Sequence, residues 1–280
     1  MRKRKGRRGA AALAALIQKR YPCLEMVLDE GGLVKADGVA GLAQPVALVG
    51  VSEKGYLSLE LTATGAGGHS SMPPALTSVG RVAAAVARLE AQPFPTRLNG
   101  GVSGLLAYLA PAVPFSKRLV FANQWLFGSL IKKSLAATPS GNAALRTTTA
   151  PTIIQGGDKD NVLPASATAT VNFRLLPGDS VSAVMQRVRE IIDDPQIQLK
   201  ILGEGRDASP VSGTDNAAFA ALHRTIKQRC FRRRWWLPTW WSGPRMPAPT
   251  PPFARRPPTA SRRCLWTRPP SKACTGRTSA

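Results

Sequence analysis

The sequence predicts an α/β chain whose centre is a split β-α-β-β-α-β unit interrupted by an apolar helical insertion. Three observations predict it. Between residues 56 and 205, runs rich in β-branched or alternating residues are separated by two amphipathic helical stretches. Their order, strand-helix-strand-strand-helix-strand, gives one sheet with both helices on one face, the ferredoxin-like arrangement. The formal net charge of +22 is concentrated at the two ends of the 280 residues. "MRKRKGRR" (1–8) carries six basic residues, and 227–280 carry thirteen with no acid, which leaves a net of +3 across 9–226. The middle is therefore an ordinary globular composition, and the total charge is not the signature of a nucleic-acid-binding surface.

The elements follow in order. "GAAALAALIQKRYP" (9–22) combines strong helix formers with apolar spacing and stops at Pro22. "LEMVLDEGG" (24–32) reads as a short apolar strand closed by an acidic Gly-Gly turn. "VALVGVSEKGYLSLELTATG" (46–65) gives two strands, the second with Tyr56, Leu57, Leu59 and Leu61 partly alternating with polar residues. "PPALTSVGRVAAAVARLEAQP" (73–93) is a helix with Val79, Val82, Val86 and Leu89 on one stripe. The insertion at roughly 95–145 is rich in Leu, Ala and Phe. Pro111, Pro114, Lys117 and Arg118 break it below the ~18–20 continuous apolar residues of a membrane span, so it reads as a buried helical hairpin. "TTTAPTIIQGG" (147–157) and "SATATVNFRLLPG" (166–178) are strands. "SVSAVMQRVREIIDD" (180–194) is a helix capped by Ser180, and "IQLKILGEG" (197–205) is the last strand. "GTDNAAFAALHRTIKQ" (213–228) is a helix capped by Thr214 or Asp215. Beyond Gln228, ten prolines, five of the six tryptophans and no acid leave no period, and 229–280 read as a disordered basic tail.

Cys23, Cys230, Cys264 and Cys274 form no Cys-x-x-Cys pair, and three lie beyond Gln228, which argues against a disulfide framework or a cysteine-rich zinc site. No signal peptide is readable at the start, so a cytoplasmic location is expected, with neither a membrane nor a specific nucleic acid as partner.

Four blocks carry a family resemblance: "LDEGG" (28–32), "EKGYLSLELTATGAGGHSSMPP" (53–74), "TTTAPTIIQGGDKDNVLP" (147–164) and "VNFRLLPGDS" (171–180). Together they resemble the zinc-dependent peptidase and aminoacylase family that includes carboxypeptidase S, glutamate carboxypeptidase, succinyl-diaminopimelate desuccinylase and the N-acyl-amino-acid hydrolases. The resemblance implies an α/β zinc-peptidase catalytic domain joined to an inserted ferredoxin-like lid that also forms a homodimer. It implies two zinc ions on His, Asp and Glu ligands, with a glutamate as general base on metal-bound water. The implied reaction releases a free amino acid from a small peptide or an N-acyl amino acid. On this reading 1–51 are a partial catalytic domain, 52–205 the lid, 206–228 a return helix and 229–280 the tail.

The resemblance assigns roles residue by residue. Asp29 matches a carboxylate zinc ligand; the alternative is a solvated turn acid. His69 matches a lid histidine that reaches the partner subunit's site and stabilises the tetrahedral oxyanion. Gly65, Gly67 and Gly68 permit the tight backbone it needs; the alternative is a loop histidine bonded to local backbone. Arg174 matches an arginine gripping the substrate carboxylate, and Asn161 a polar substrate contact. Their alternatives are a surface arginine and a turn-capping asparagine. His223 reads as a helix-surface histidine.

The sequence also departs from the family pattern. No His-x-Asp segment, bridging Asp or Glu-Glu pair precedes the first helix, and no His-Gly-x-Asn-Glu motif follows. Tryptophan has the single codon TGG. Reading "RCFRRRWWLPTWWSGPRMPAPT" one base earlier permits a family-type strand and a Gly-x-Thr-Asp-x-Arg segment, and "ACTGRTS" so shifted permits His-Gly-Thr-Asn-Glu. A reading frame shifted after about Lys227, opening inside the parent gene, is the expectation. The chain is then a hydrolase by descent that is inactive or impaired, since zinc needs three or four ligands. The alternative is a non-catalytic dimerisation module or pseudoenzyme fragment.

Overall fold

The computed structural model describes residues 2–21, 24–29, 32–35, 42 and 44–229. The expectations for 230–280 lie outside the described residues. Two compact units emerge, one at 33–212, the other formed by the described residues of 1–32 and 213–229.

The smaller unit holds helix α1 (Arg2–Arg20) and helix α8 (Ala217–Arg229), together with the irregular stretch 24–29. The strand expected at 24–32 does not form among its described residues. Backbone groups need a ladder partner to make a strand, and that pairing falls in the larger unit. There β1 (Leu33–Lys35) pairs antiparallel with β2 (Val46–Leu48). The cap of α8 is neither Thr214 nor Asp215: the Asn216 side chain accepts from the Phe219 amide at 2.8 Å.

The larger unit contains the predicted β-α-β-β-α-β order. It runs β3 (Leu57–Thr64), the short β4 (Gly68–His69), α2 (Ser78–Ala91), an insertion, β5 (Thr148–Gly156), the short β6 (Val162–Leu163), β7 (Ser166–Arg174), α7 (Val181–Ile192) and β8 (Ile197–Ile201). Strands β5-β7-β3-β8 form one antiparallel four-stranded sheet in that spatial order. A strand places alternate side chains on opposite faces. Leu57, Leu59, Leu61 and Ala63 of β3 pair in register with Phe173, Val171, Ala169 and Ala167 of β7, and all are buried. Val82, Ala85 and Leu89 of α2 and Val184, Val188, Ile191 and Ile192 of α7 complete the same core. Both helices therefore cover one face of the sheet. The other face presents the polar residues Ser58, Glu60, Thr62, Thr168, Thr170 and Asn172.

Caps fix where the two helices start. Thr77 accepts from the Gly80 amide at α2, and Ser180 from the Ala183 amide at α7, as expected for Ser180. The buried stripe of α2 is Ser78, Val82, Ala85 and Leu89; Val79, placed on that stripe by spacing, is exposed. Arg81 pairs with Asp194, and the Arg88 guanidinium donates to the Ile192 carbonyl, which ties α2 to the end of α7.

The insertion is not a buried hairpin. It comprises four helices, α3 (Gly100–Leu109), α4 (Phe115–Ala122), α5 (Gln124–Ala136) and α6 (Pro139–Leu145), with a 3₁₀ turn at Ala110–Ala112. Leu106, Leu109, Ala110, Val113, Ile131 and Leu145 are buried, but Phe115, Trp125, Leu126 and Leu130 are exposed. The helices are short: α3 buries Leu106 and Leu109, α5 buries Ile131, α6 buries Leu145, and α4 buries no residue. Among the described residues no helix is long and apolar enough to cross a membrane.

Candidate functional site

His69 sits in a tight corner built by glycine. Gly67 has φ of 67° and Gly68 of 141°, conformations that side chains with a Cβ rarely adopt. A Cβ on Gly67 would also stand 3.2 Å from the Leu163 carbonyl. The corner lets β4 pair with β6, His69 opposite Val162. The Ser70 amide donates to the Asn161 carbonyl at 3.1 Å, so His69 and Asn161 share one corner of the unit.

The histidine ring is oriented. Its Nδ1 accepts from the Ser71 amide at 3.2 Å and lies 2.8 Å from Ser71 Oγ. A backbone N–H can only donate, so Nδ1 presents a lone pair and the neutral ring carries its proton on Nε2. Nε2 bonds none of the described residues. The Asn161 side chain is exposed and bonds none of the described residues.

Arg174 ends β7 opposite Thr148. Its guanidinium lies 4.9 Å from the centre of the Tyr56 ring, a cation–π contact that holds the fork against the sheet. Ser58 Oγ donates to the Tyr56 hydroxyl, and Asn172 Nδ2 donates to Ser58 Oγ, both at 3.1 Å. Next to this group lies Lys54, which sequence reasoning missed. Its Nζ donates to the Ala143 and Arg146 carbonyls, each at 2.8 Å. Burial, and then repulsion from Arg174, pull its pKa down to about 8, against an opposing pull from Asp179. Asp179, also missed, bonds the Thr147 hydroxyl and pairs with Arg97 at 2.9 Å. Only the sequence neighbourhood "EKGY" hinted at Lys54; its partners lie 89 and 92 residues away.

A stability prediction follows from Lys54. Below pH 8 both folded and unfolded chains hold its proton, and the folded state bears the full desolvation cost. Above about 8 the folded state releases the proton, while the unfolded chain keeps it to its ordinary 10.5. Stability therefore rises with pH through this window. The neutral amine keeps two N–H donors for the two carbonyls. Urea denaturation at pH 7, 8.5 and 10 is expected to show the native chain gaining on Lys54→Met as pH rises. A flat or falling difference would refute the lowered pKa.

Within the larger unit the structure does not bring His69, Asn161 and Arg174 together. His69 and Asn161 lie beside the start of β7, and Arg174 is its last residue. Eight residue steps at about 3.3 Å each place those ends roughly 26 Å apart, so one copy cannot offer both to a small substrate. Asp29 lies exposed in the other unit. A cavity of about 620 Å³, lined among others by Arg97, Asn99, Asp179, Ser180 and Asp207, includes none of these four. Among the described residues no group of three or more His, Cys, Asp or Glu side chains is placed to hold a metal ion. The residues described thus do not fit the two-zinc centre that the resemblance implies. His223 is exposed on α8.

Comparison with known proteins agrees with this fold. Residues 51–200 match the peptidase dimerisation domain of the M20 peptidases. The chain is 43% identical over 223 residues to the N-fatty-acyl-amino acid synthase/hydrolase PM20D1 of Xenopus tropicalis, covering 79% of this chain and 43% of that protein. It is 41% identical over 222 residues to the protein of the same name from Homo sapiens, covering 78% of this chain and 44% of that one. It is 38% identical over 205 residues to a probable carboxypeptidase S-like protein of Dictyostelium discoideum, covering 73% and 39%. The chain spans less than half the length of these relatives. With its matched segment spanning more than half of its length, the chain belongs to the M20 peptidase family, whose dimerisation domain it carries.

Proposed function

We propose that the chain derives from an M20 hydrolase that cleaves the amide bond of a C-terminal amino acid or an N-acyl amino acid, and that this polypeptide has little or no turnover of its own. The observation that carries the reading is the oriented His69, with Nδ1 held by Ser71 and Nε2–H left to donate. In that role Nε2–H stabilises the oxyanion that develops on the scissile carbonyl, a contribution of about 10²–10³ in rate for one such donor. Arg174, steadied on Tyr56, forks the substrate's free carboxylate. Asn161 adds a polar contact from the His69 corner. The distance between that corner and Arg174 supports a homodimer in which one copy's His69 and Asn161 complete the other copy's site. The relatives' names support an acyl amino acid or a C-terminal residue as substrate.

Low turnover is inferred from the described residues: Asp29 is the one proposed ligand among them, no group of three or more His, Cys, Asp or Glu is placed to hold a metal there, and a zinc site needs three or four ligands. The test is one preparation of the full chain, measured for bound zinc, for mass by light scattering, and for hydrolysis of N-acyl amino acids and short peptides with and without added zinc. A metal-free dimer without turnover is the expected result. Metal-dependent hydrolysis would overturn the proposed inactivity, and a monomer would overturn the shared site. The nucleotide sequence around codons 225–235 tests the shifted reading frame: stop codons in the alternative frame would end that idea.

A second reading, a dimerisation module without chemistry, is favoured by one observation. The core of the larger unit is closed by its own sheet and helices. Heterodimers with a complete M20 relative, detected on mixing, would support it.

A further inference from the structure

The helical insertion departs most from the sequence expectation. Phe115 of α4 is 77% exposed and Trp125 of α5 is 83% exposed, with Leu119, Leu126 and Leu130 also open. On α5 the arrangement is one-sided. At 100° per residue, Trp125, Leu126, Leu130 and Lys133 fall within about 140° of one another, and buried Ile131 lies outside that arc. Exposed apolar groups at this density mark a contact surface.

Charge identifies the contact. Helices α4 and α5 contain no acid and carry Lys117, Arg118, Lys132 and Lys133, whereas Arg97 ahead of them is paired with Asp179. A second copy of this face would meet it with like charge, which disfavours self-association there. A surface of negative charge over an apolar interior matches both features. Tryptophan, phenylalanine and leucine beside lysine and arginine suit helices lying in the headgroup boundary. The 13 residues of α5 reach about 20 Å, short of the ~30 Å hydrocarbon core. A helix of this length suits the surface of a bilayer and is too short to span one.

We propose that the insertion docks the chain onto the surface of an anionic phospholipid bilayer, with the Trp125–Leu130 face of α5 in the headgroup boundary. This reverses the expectation of no membrane partner. It stands on exposure and charge, independently of any activity.

Flotation of the full chain with vesicles tests it, using phosphatidylcholine alone and with about one-third phosphatidylserine at physiological salt. The native chain is expected to bind the mixed vesicles and not the neutral ones. Arg118→Glu with Lys133→Glu should weaken binding about 25-fold, at roughly fivefold per cation. Trp125→Ser with Leu130→Ser should weaken it about tenfold. All four side chains are exposed, so an unchanged melting curve confirms folding. If the apolar pair lowers the melting temperature, Phe115→Ser alone carries that arm. The basic ends are common to every variant. If either pair binds like the native chain, docking by the insertion is refuted. The same holds if neutral vesicles bind equally well, or if the apolar pair changes only the oligomeric state.

Discussion

Replacing Phe173 by alanine is expected to destabilise the larger unit by about 3–5 kcal/mol, the range for deleting a fully buried aromatic side chain. Phe173 is 0% exposed and sits on β7, which is paired on both sides. Its ring meets Phe94 edge to face, with centroids 6.2 Å apart and planes at 77°, and Arg187 lies over the far partner, 5.4 Å from the Phe94 centroid. Truncation removes the buried area, the ring pair and the support for Phe94 together. Collapse is obstructed because Leu57, opposite Phe173 across the ladder, is itself fully buried between strands and helices. With domain stabilities of about 5–15 kcal/mol, the loss is a large part of the total. Urea denaturation followed by circular dichroism measures it. A loss below about 1 kcal/mol would show that this position repacks and that the sheet's centre is not the stabilising core described.

The core was legible because its period is simple. Alternation in "LSLELTAT" and "SATATVNF" sets which side chains face inward, and the two halves meet residue for residue across β3 and β7. The insertion was misread because composition counts apolar residues without saying which side of a short helix they occupy. Val79 failed for a related reason: spacing does not say which arc of α2 meets the sheet, and the buried arc is Ser78, Val82, Ala85 and Leu89. The cap expected at Thr214 or Asp215 falls one residue further on, at Asn216, because residue type does not fix where the first helical turn begins. At the site, the glycines around His69 announced a tight turn. The pairing of Ser70 with Asn161, 91 positions apart, has no local signal. The side-chain partners of Lys54 and Asp179 had no local signal either: Ala143 and Arg146 for the lysine, Thr147 and Arg97 for the aspartate, all lie far along the chain.

Gly55→Ala is the second large effect, expected to cost about 3 kcal/mol through overpacking that the backbone must absorb. Gly55 is locked on both sides of its peptide: its amide donates to the Leu175 carbonyl at 2.9 Å, and its carbonyl accepts from the Leu175 amide at 3.1 Å. A Cβ there would lie 2.5 Å from the Arg206 carbonyl oxygen, 2.7 Å from the Ala208 nitrogen and 2.9 Å from the Asp207 carbonyl carbon. All three are backbone atoms, so no side-chain rotation relieves the clash. Segment 206–208 must move, and Asp207 then loosens its hold on the Val181 amide at the start of α7. Lys54 and Tyr56 flank the clash and both adjoin Arg174, so the strain falls on the carboxylate-gripping end and leaves the His69 corner untouched. Hydrogen exchange is expected to show this polarity. The Tyr56 and Arg206 amides, which bond each other's carbonyls at 2.8 Å, should lose protection ahead of the β3–β7 ladder, while the Ser70 amide keeps its protection. Gly50→Ala, where a Cβ meets nothing within 4 Å, serves as the control and is expected to stay within about 0.5 kcal/mol of the native chain. If the two alanines behave alike, Gly55 is not what seats segment 206–208 against the sheet, and the fixed geometry argued for the Arg174 end fails with it.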